Sequence, residues 1–133
     1  MKRIWTKDVI DYNGRFYNVP PSKIDLKPIQ KPHPPIVLGG FTPRAFTRVA
    51  KYADGWMPIA GFGPLDQFGQ AISGLKEEAK KHGRDPSTIK VFTLTYLNLS
   101  ESQKPNDKRL PLSGTIDQIG RDVRRLRKWA QIT

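Results

Sequence analysis

A strand that must stop at a pair of glycines and restart as a proline-led helix constrains this chain more than any other feature, and residues 34–56 hold it. Ile36, Val37 and Leu38 form a short continuous apolar run, the pattern of a strand buried on both faces in a parallel sheet. Gly39 and Gly40 end the run, and Thr42 followed by Pro43 predicts an N-cap with proline at the first helical position. Ala45, Phe46, Val49 and Ala50 recur at helical spacing with Arg44, Arg48 and Lys51 opposite, and Ala53 to Ile59 predicts the next strand. Two readings of the turn stand side by side. The orphan N–H groups of the helix point back at the glycines, where an anion can sit; equally, glycine can simply permit tight packing in an ordinary βα turn.

With 133 residues and 37% hydrophobic content, one modest domain is expected over 1–133. There is no cysteine, and His33 and His82 have no ligand spacing, so no metal site is expected. No apolar run approaches the roughly 18 residues that span a bilayer. The opening Met1-Lys2-Arg3-Ile4-Trp5 lacks the apolar core of a signal peptide, which makes the cytoplasm the expected compartment and a membrane an unexpected partner. A net charge of +11 raises the question of nucleic acid. The densest cluster, Arg121, Arg124, Arg125, Arg127 and Lys128, lies on the polar side of one predicted helix with no aromatic platform at useful spacing. A solvated helix face explains it as well, so weak adhesion at low salt is expected and specific nucleic-acid binding is not.

The first 35 residues read as an extended, proline-rich, irregular arm. Asn13-Gly14 between aromatic residues predicts a small hairpin or extended loop, and Pro20, Pro21, Pro28, Pro32, Pro34 and Pro35 forbid a long helix. Such composition suits a connection lying across other structure, or a disordered linker. The βα units are expected over 36–133. Leu65, Phe68, Ala71, Ile72, Leu75 and Ala79 trace a helical stripe that stops at His82-Gly83, where Gly83 can take the left-handed position. Asp85-Pro86 marks a turn, Val91 to Leu99 predicts a third strand, and Ser100 to Leu112 predicts a long, mobile loop. Thr115 and Gln118 form a capping-box pattern that opens a last helix with Ile116, Ile119, Val123, Leu126 and Ala130 on one face. The order β-α-β-α-β-loop-α is that of a parallel sheet with right-handed crossovers.

Ordered matches run along nearly the whole chain: Ile4-Trp5, then Tyr12, Gly14, Phe16 and Tyr17, then Pro28, Gln30, Pro32, Pro34, Pro35 and Gly39-Gly40. They continue through Ala53-Asp54-Gly55-Trp56 to Ser113-Gly114-Thr115 and the helix after it. In these the chain resembles the bacterial-luciferase-like superfamily of flavin- or deazaflavin (F420)-dependent monooxygenases and oxidoreductases. The resemblance implies an α/β fold belonging to an eight-stranded βα barrel, an architecture of at least about 200 residues. The expectation is therefore a partial TIM (β/α)8 barrel, about three parallel strands with flanking helices, resembling the later part of the whole. The amino-terminal half would be missing, and Met1 would fall inside a helix of the family, as in a truncated product.

By the same resemblance, Gly39, Gly40, Phe41 and Thr42 match the turn whose backbone and hydroxyl hold the cofactor phosphate, with Arg44 either its charge partner or a solvated first-turn residue. Asp54-Gly55 either belongs to the site or makes a turn, and Trp56 is expected to pack. His33, between prolines, is expected in a structural loop, and no residue is assigned as catalytic. The implied cofactor is FMN or F420, reduced by a nicotinamide donor and acting on a small organic substrate. A chain of this kind is expected to be inactive alone and to need a complementing barrel half or a second copy. The alternatives are a non-catalytic, self-associating remnant with open sheet edges and a basic nucleic-acid-binding module.

Overall fold

The computed structural model describes residues 1–60, 63–106 and 109–130. The chain divides into two compact units, Met1–Pro35 and Ile36–Thr133.

The first unit holds more regular structure than its prolines suggest. Helix α1 (Lys2–Thr6) precedes strands β1 (Val9–Asn13) and β2 (Asn18–Lys23), which pair antiparallel. Gly14 N–H donates to the Tyr17 carbonyl at 2.9 Å and closes the hairpin that Asn13-Gly14 announces. Pro20 and Pro21 lie inside β2, which a two-stranded ribbon tolerates because one edge of each strand needs no partner. The register shifts between Ile10 and Tyr12, opposite this stretch. The irregular arm expected over 1–35 is thus confined to residues 24–35. There Lys27 Nζ donates to the carbonyls of Ile4 (3.1 Å) and Lys7 (2.6 Å), at the end of α1. His33 rests near Trp5, ring centroids 6.0 Å apart, with Nδ1 2.9 Å from the Pro34 carbonyl, the structural loop position expected of it.

In the second unit, β3 (Val37–Leu38), α2 (Pro43–Tyr52), β4 (Gly55–Trp56), α3 (Leu65–Lys81) and β5 (Lys90–Val91) build a three-stranded parallel sheet in the order β3-β4-β5. Val37 sits opposite Gly55 and Gly55 opposite Lys90, and Ile59 bridges Leu94 beyond β4 and β5. Leu38, Trp56 and Val91 face the helices, where Val49, Phe68, Ile72 and Leu75 complete the core. Each large side chain buried there is worth about 1.5–3 kcal/mol. The stripe on α3 is buried as its spacing predicts, and Gly83 (φ +66°) ends the helix. The Thr47 hydroxyl donates to Glu78 at 2.7 Å and ties α2 to α3. Beyond Gly83, Arg84 turns back: its Nη1 donates to the carbonyls of Val49 (3.3 Å), Ala50 (3.2 Å) and Ala53 (2.6 Å), at the C-terminal end of α2.

Past β5 the structure departs from expectation. The single strand expected over 91–99 is broken into β5 and β6 (Asn98–Leu99), and β6 leaves the first sheet to pair in parallel with β7 (Ser113–Gly114). A two-residue strand, one residue of it glycine, carries no periodicity, which is why β7 escapes a pattern reading. Helix α4 (Ile116–Ala130) follows. Its buried face is formed by Gln118, Asp122 and Leu126, whereas Ile116 and Val123 are exposed, so the apolar face expected from Ile116, Ile119, Val123, Leu126 and Ala130 is rotated. Tertiary pairing accounts for the shift. Arg109 reaches from the preceding loop to grip Asp122 through two bonds, Nη1 to Oδ2 at 2.6 Å and Nη2 to Oδ1 at 2.7 Å, and Leu112 N–H donates to the same carboxylate at 2.9 Å. The side chain of Ala130 lies outside the described residues. Among the described residues the strands make an open three-stranded sheet and two separate pairs, with no closed barrel.

Candidate functional site

The turn between β3 and α2 needs glycine twice, for different reasons. A Cβ on Gly39 would stand 3.1 Å from the Met57 carbonyl oxygen, so the backbone just past β4 crowds the position. Gly40 has φ +107°, a conformation open to glycine, and a Cβ there would meet that of Ala45 at 3.0 Å. The chain then enters α2 through Thr42, whose Oγ1 accepts Ala45 N–H at 3.2 Å and whose carbonyl accepts Phe46 N–H at 3.1 Å. Among the described residues, no protein acceptor receives the N–H groups of Phe41, Thr42 or Arg44. These donors gather at the carboxyl end of a parallel strand and the positive end of a helix.

Arg44 is exposed and makes no ion pair among the described residues, and the first turn of α2 holds no acidic side chain. A cation in the first turn works against the helix macrodipole, so Arg44 contributes nothing to helix stability by charge. It adds to the positive potential at the turn instead.

The residues around the turn are structural. Asp54 Oδ2 accepts Ile36 N–H at 2.8 Å and anchors the entry to β3, so the Asp-Gly pair does more than turn the chain. Trp56 is fully buried, stacked on Phe68 (5.8 Å between centroids) and edge-on to Phe46 (5.5 Å) and Phe41 (5.6 Å). Packing was expected. The hydrogen bond from its indole Nε1 to the Gly40 carbonyl, 2.9 Å, was not legible in the sequence. Beside the turn, Phe41, Ile59, Ala60, Leu65 and Phe68 wall an apolar cavity of about 240 Å³ with the Gln67 amide at its edge.

Ionisable groups with perturbed behaviour lie elsewhere. Burial alone would push the Asp122 carboxyl up, but the Arg109 guanidinium and Leu112 N–H outweigh it and hold it below the usual carboxylate range. That pair ties a loop to α4. The Glu78 carboxyl is held down chiefly by the Thr47 hydroxyl and sits between two helices. Neither touches the glycine turn, and no acid or base stands out beside it. Among the described residues no three His, Asp or Glu side chains gather as a metal cluster, and no helix is long and apolar enough to cross a membrane. Of the basic residues on α4, Arg125 is paired with Asp66 at 2.6 Å and lies 5.2 Å from the Trp129 ring centroid.

Parallel βαβ units with a glycine turn at the carboxyl ends of their strands are the building blocks of barrel enzymes, whose sites form on that face. The family model described as luciferase-like monooxygenase matches residues 1–125, and the chain belongs to that family. An uncharacterized protein of Mycobacterium tuberculosis is 32% identical over 109 residues, which is 81% of this chain and 36% of that protein. The chain thus spans about a third of the length of the curated relatives it matches. Among solved structures, an F420-dependent secondary alcohol dehydrogenase in complex with an F420–acetone adduct superimposes with a TM-score of 0.76 at 14% identity, over 97% of this chain and 50% of that one. The monooxygenase RslO1 from Streptomyces bottropensis gives 0.67 at 17% identity, over 97% and 48%. At these identities the likeness is one of fold.

Proposed function

We propose that this chain supplies the phosphate end of the cofactor site in a luciferase-like oxidoreductase that uses FMN or F420. The observation that carries the reading is the set of N–H groups at Phe41, Thr42 and Arg44 with no acceptor among the described residues, on a turn where side chains at Gly39 and Gly40 would be crowded. The Thr42 hydroxyl accepts one bond from Ala45 and keeps its own proton to donate, and Arg44 neutralises charge. The residues present therefore fit a phosphate. When bound, the ring system supplies hydride transfer or oxygen activation, and the side chains around the turn hold and orient rather than react.

The sheet itself argues for a partner. Met57, Phe92 and Leu94 alternate with the core-facing residues and stand between 42% and 49% exposed, on the face turned away from the helices. Further barrel strands, from a longer form or another chain, cover this face in the active enzyme, and the chain alone is inactive. The same surface favours a second reading, a non-catalytic chain that self-associates.

Titration with FMN and with F420, followed by fluorescence quenching with light scattering for mass, separates the two. Saturable binding of either cofactor supports the first. A multimer that binds neither supports the second and ends the first.

A further inference from the structure

We infer that Trp56 is a positioning residue for the anion turn, aiming the Phe41 N–H at the ligand by holding the Gly40 carbonyl from behind. The inference rests on the phosphate reading above and adds the element that orients its donors.

Peptide geometry couples the two directions. In a trans peptide the carbonyl and the following N–H point in opposite directions. The Gly40 carbonyl accepts the indole N–H of Trp56 at 2.9 Å, so it points into the core, and the Phe41 N–H of the same peptide plane points out of it. Gly40, with φ +107°, has no side-chain preference of its own to resist a flip of that plane. The lock comes from the other side. Trp56 is immobilised by the Phe68 and Phe46 rings and by its place in β4, opposite Leu38. The Phe41 ring, edge-on to the same indole, fixes the next residue against the same support. A phenylalanine at position 56 would fill much of the same space. Tryptophan brings a donor to the back of the turn that phenylalanine lacks, and a carbonyl so engaged holds its direction.

The experiment compares phosphate-bearing and phosphate-free forms of one ring system: FMN against riboflavin, and F420 against its phosphate-free deazaflavin core. The full chain and its Trp56→Phe variant are titrated with each. The unmodified chain is expected to bind the phosphate-bearing form of one pair more tightly. In Trp56→Phe that advantage falls about tenfold, the loss of one charge-assisted hydrogen bond. Affinity for the phosphate-free form stays the same, which a merely structural role for the tryptophan would not produce.

If Trp56→Phe fails to fold by circular dichroism, benzothienylalanine placed at position 56 removes the N–H and keeps the shape, and 7-azatryptophan there keeps the N–H and restores the advantage. Retention of the full advantage without the N–H overturns the role of Trp56 and leaves the phosphate reading intact. Absence of any advantage in the unmodified chain, or of any binding, overturns the phosphate reading and this inference with it.

Discussion

Helices α2 and α4 begin alike and end up with opposite capacities. Each follows a short parallel strand and a glycine with strongly positive φ, Gly40 at +107° and Gly114 at +109°, and each is capped by threonine, Thr42 or Thr115. The difference lies two and three residues further on. In α4 the third helical residue is Gln118, whose Oε1 accepts the N–H groups of Thr115 (3.2 Å) and Lys104 (3.1 Å) while its Nε2 donates to the Lys104 carbonyl (2.6 Å). In α2 that position is Ala45, which has nothing to offer the turn. The second helical residue is Asp117 in α4 and Arg44 in α2, so the charge is reversed as well. One end has its cap N–H engaged by Gln118 and carries an acid that complements its dipole; the other leaves the Thr42 N–H without an acceptor and carries a cation that strengthens the positive field. Two side chains set the helix ends apart, and on the proposed reading that difference is what suits the α2 end to an anion.

The largest effect is expected where the closed end is anchored. Asp122→Ala takes the ion-pair partner from Arg109 and leaves the Leu112 N–H without its acceptor, and stability measured by urea unfolding should fall by about 3–5 kcal/mol. The linked pH effect has a definite sign. Because the folded Asp122 carboxyl lies below its ordinary value, its contribution is present above pH about 4 and is lost as pH falls through the folded value. In an acid titration, Asp122→Asn should lose that part of the pH dependence.

Gln118→Ala tests the capping side chain itself. It leaves the Thr115 and Lys104 groups without partners, at a cost of about 1–3 kcal/mol. With Asp117 still in place, the emptied end should gain no affinity for inorganic phosphate; a gain would show that the capping side chain alone made the difference. Thr42→Ala should cost about 1 kcal/mol and weaken phosphate-dependent cofactor binding together. Arg44→Asp copies the charge of α4 into α2 and should separate those two readouts. Stability should rise by about 0.3–1 kcal/mol while the preference for FMN over riboflavin, or for F420 over its core, disappears. If stability falls instead, Arg44 has a packing role and the comparison loses its electrostatic half.

How much of this was legible depends on how local each interaction is. The stop at Gly39-Gly40, the Thr42 cap, the α3 stripe with Gly83 and the Thr115–Gln118 box all lie within a few residues, and spacing alone exposes them. Asp122 was invisible because its partner Arg109 stands thirteen residues away in an irregular loop; periodicity sees a polar residue and assigns it to solvent. The same blindness hid the bond from Trp56 to Gly40, since an indole reads as apolar bulk until the carbonyl it meets is known. The hairpin in the first unit was half legible, its turn plain in Asn13-Gly14 and its second strand disguised by Pro20 and Pro21.

Arg84 gives α2 a property that neither terminus has alone. Its guanidinium rests on the carbonyls of Val49, Ala50 and Ala53, so the negative pole of the helix is neutralised by the protein's own cation. What faces outward is the other pole, roughly half a unit of positive charge without its counterpart. Towards an approaching anion such a helix acts as a monopole, and its attraction fades with distance more slowly than a dipole's. On the proposed reading of the turn, a residue at the far end of α2 thereby extends the range over which a phosphate is steered to it.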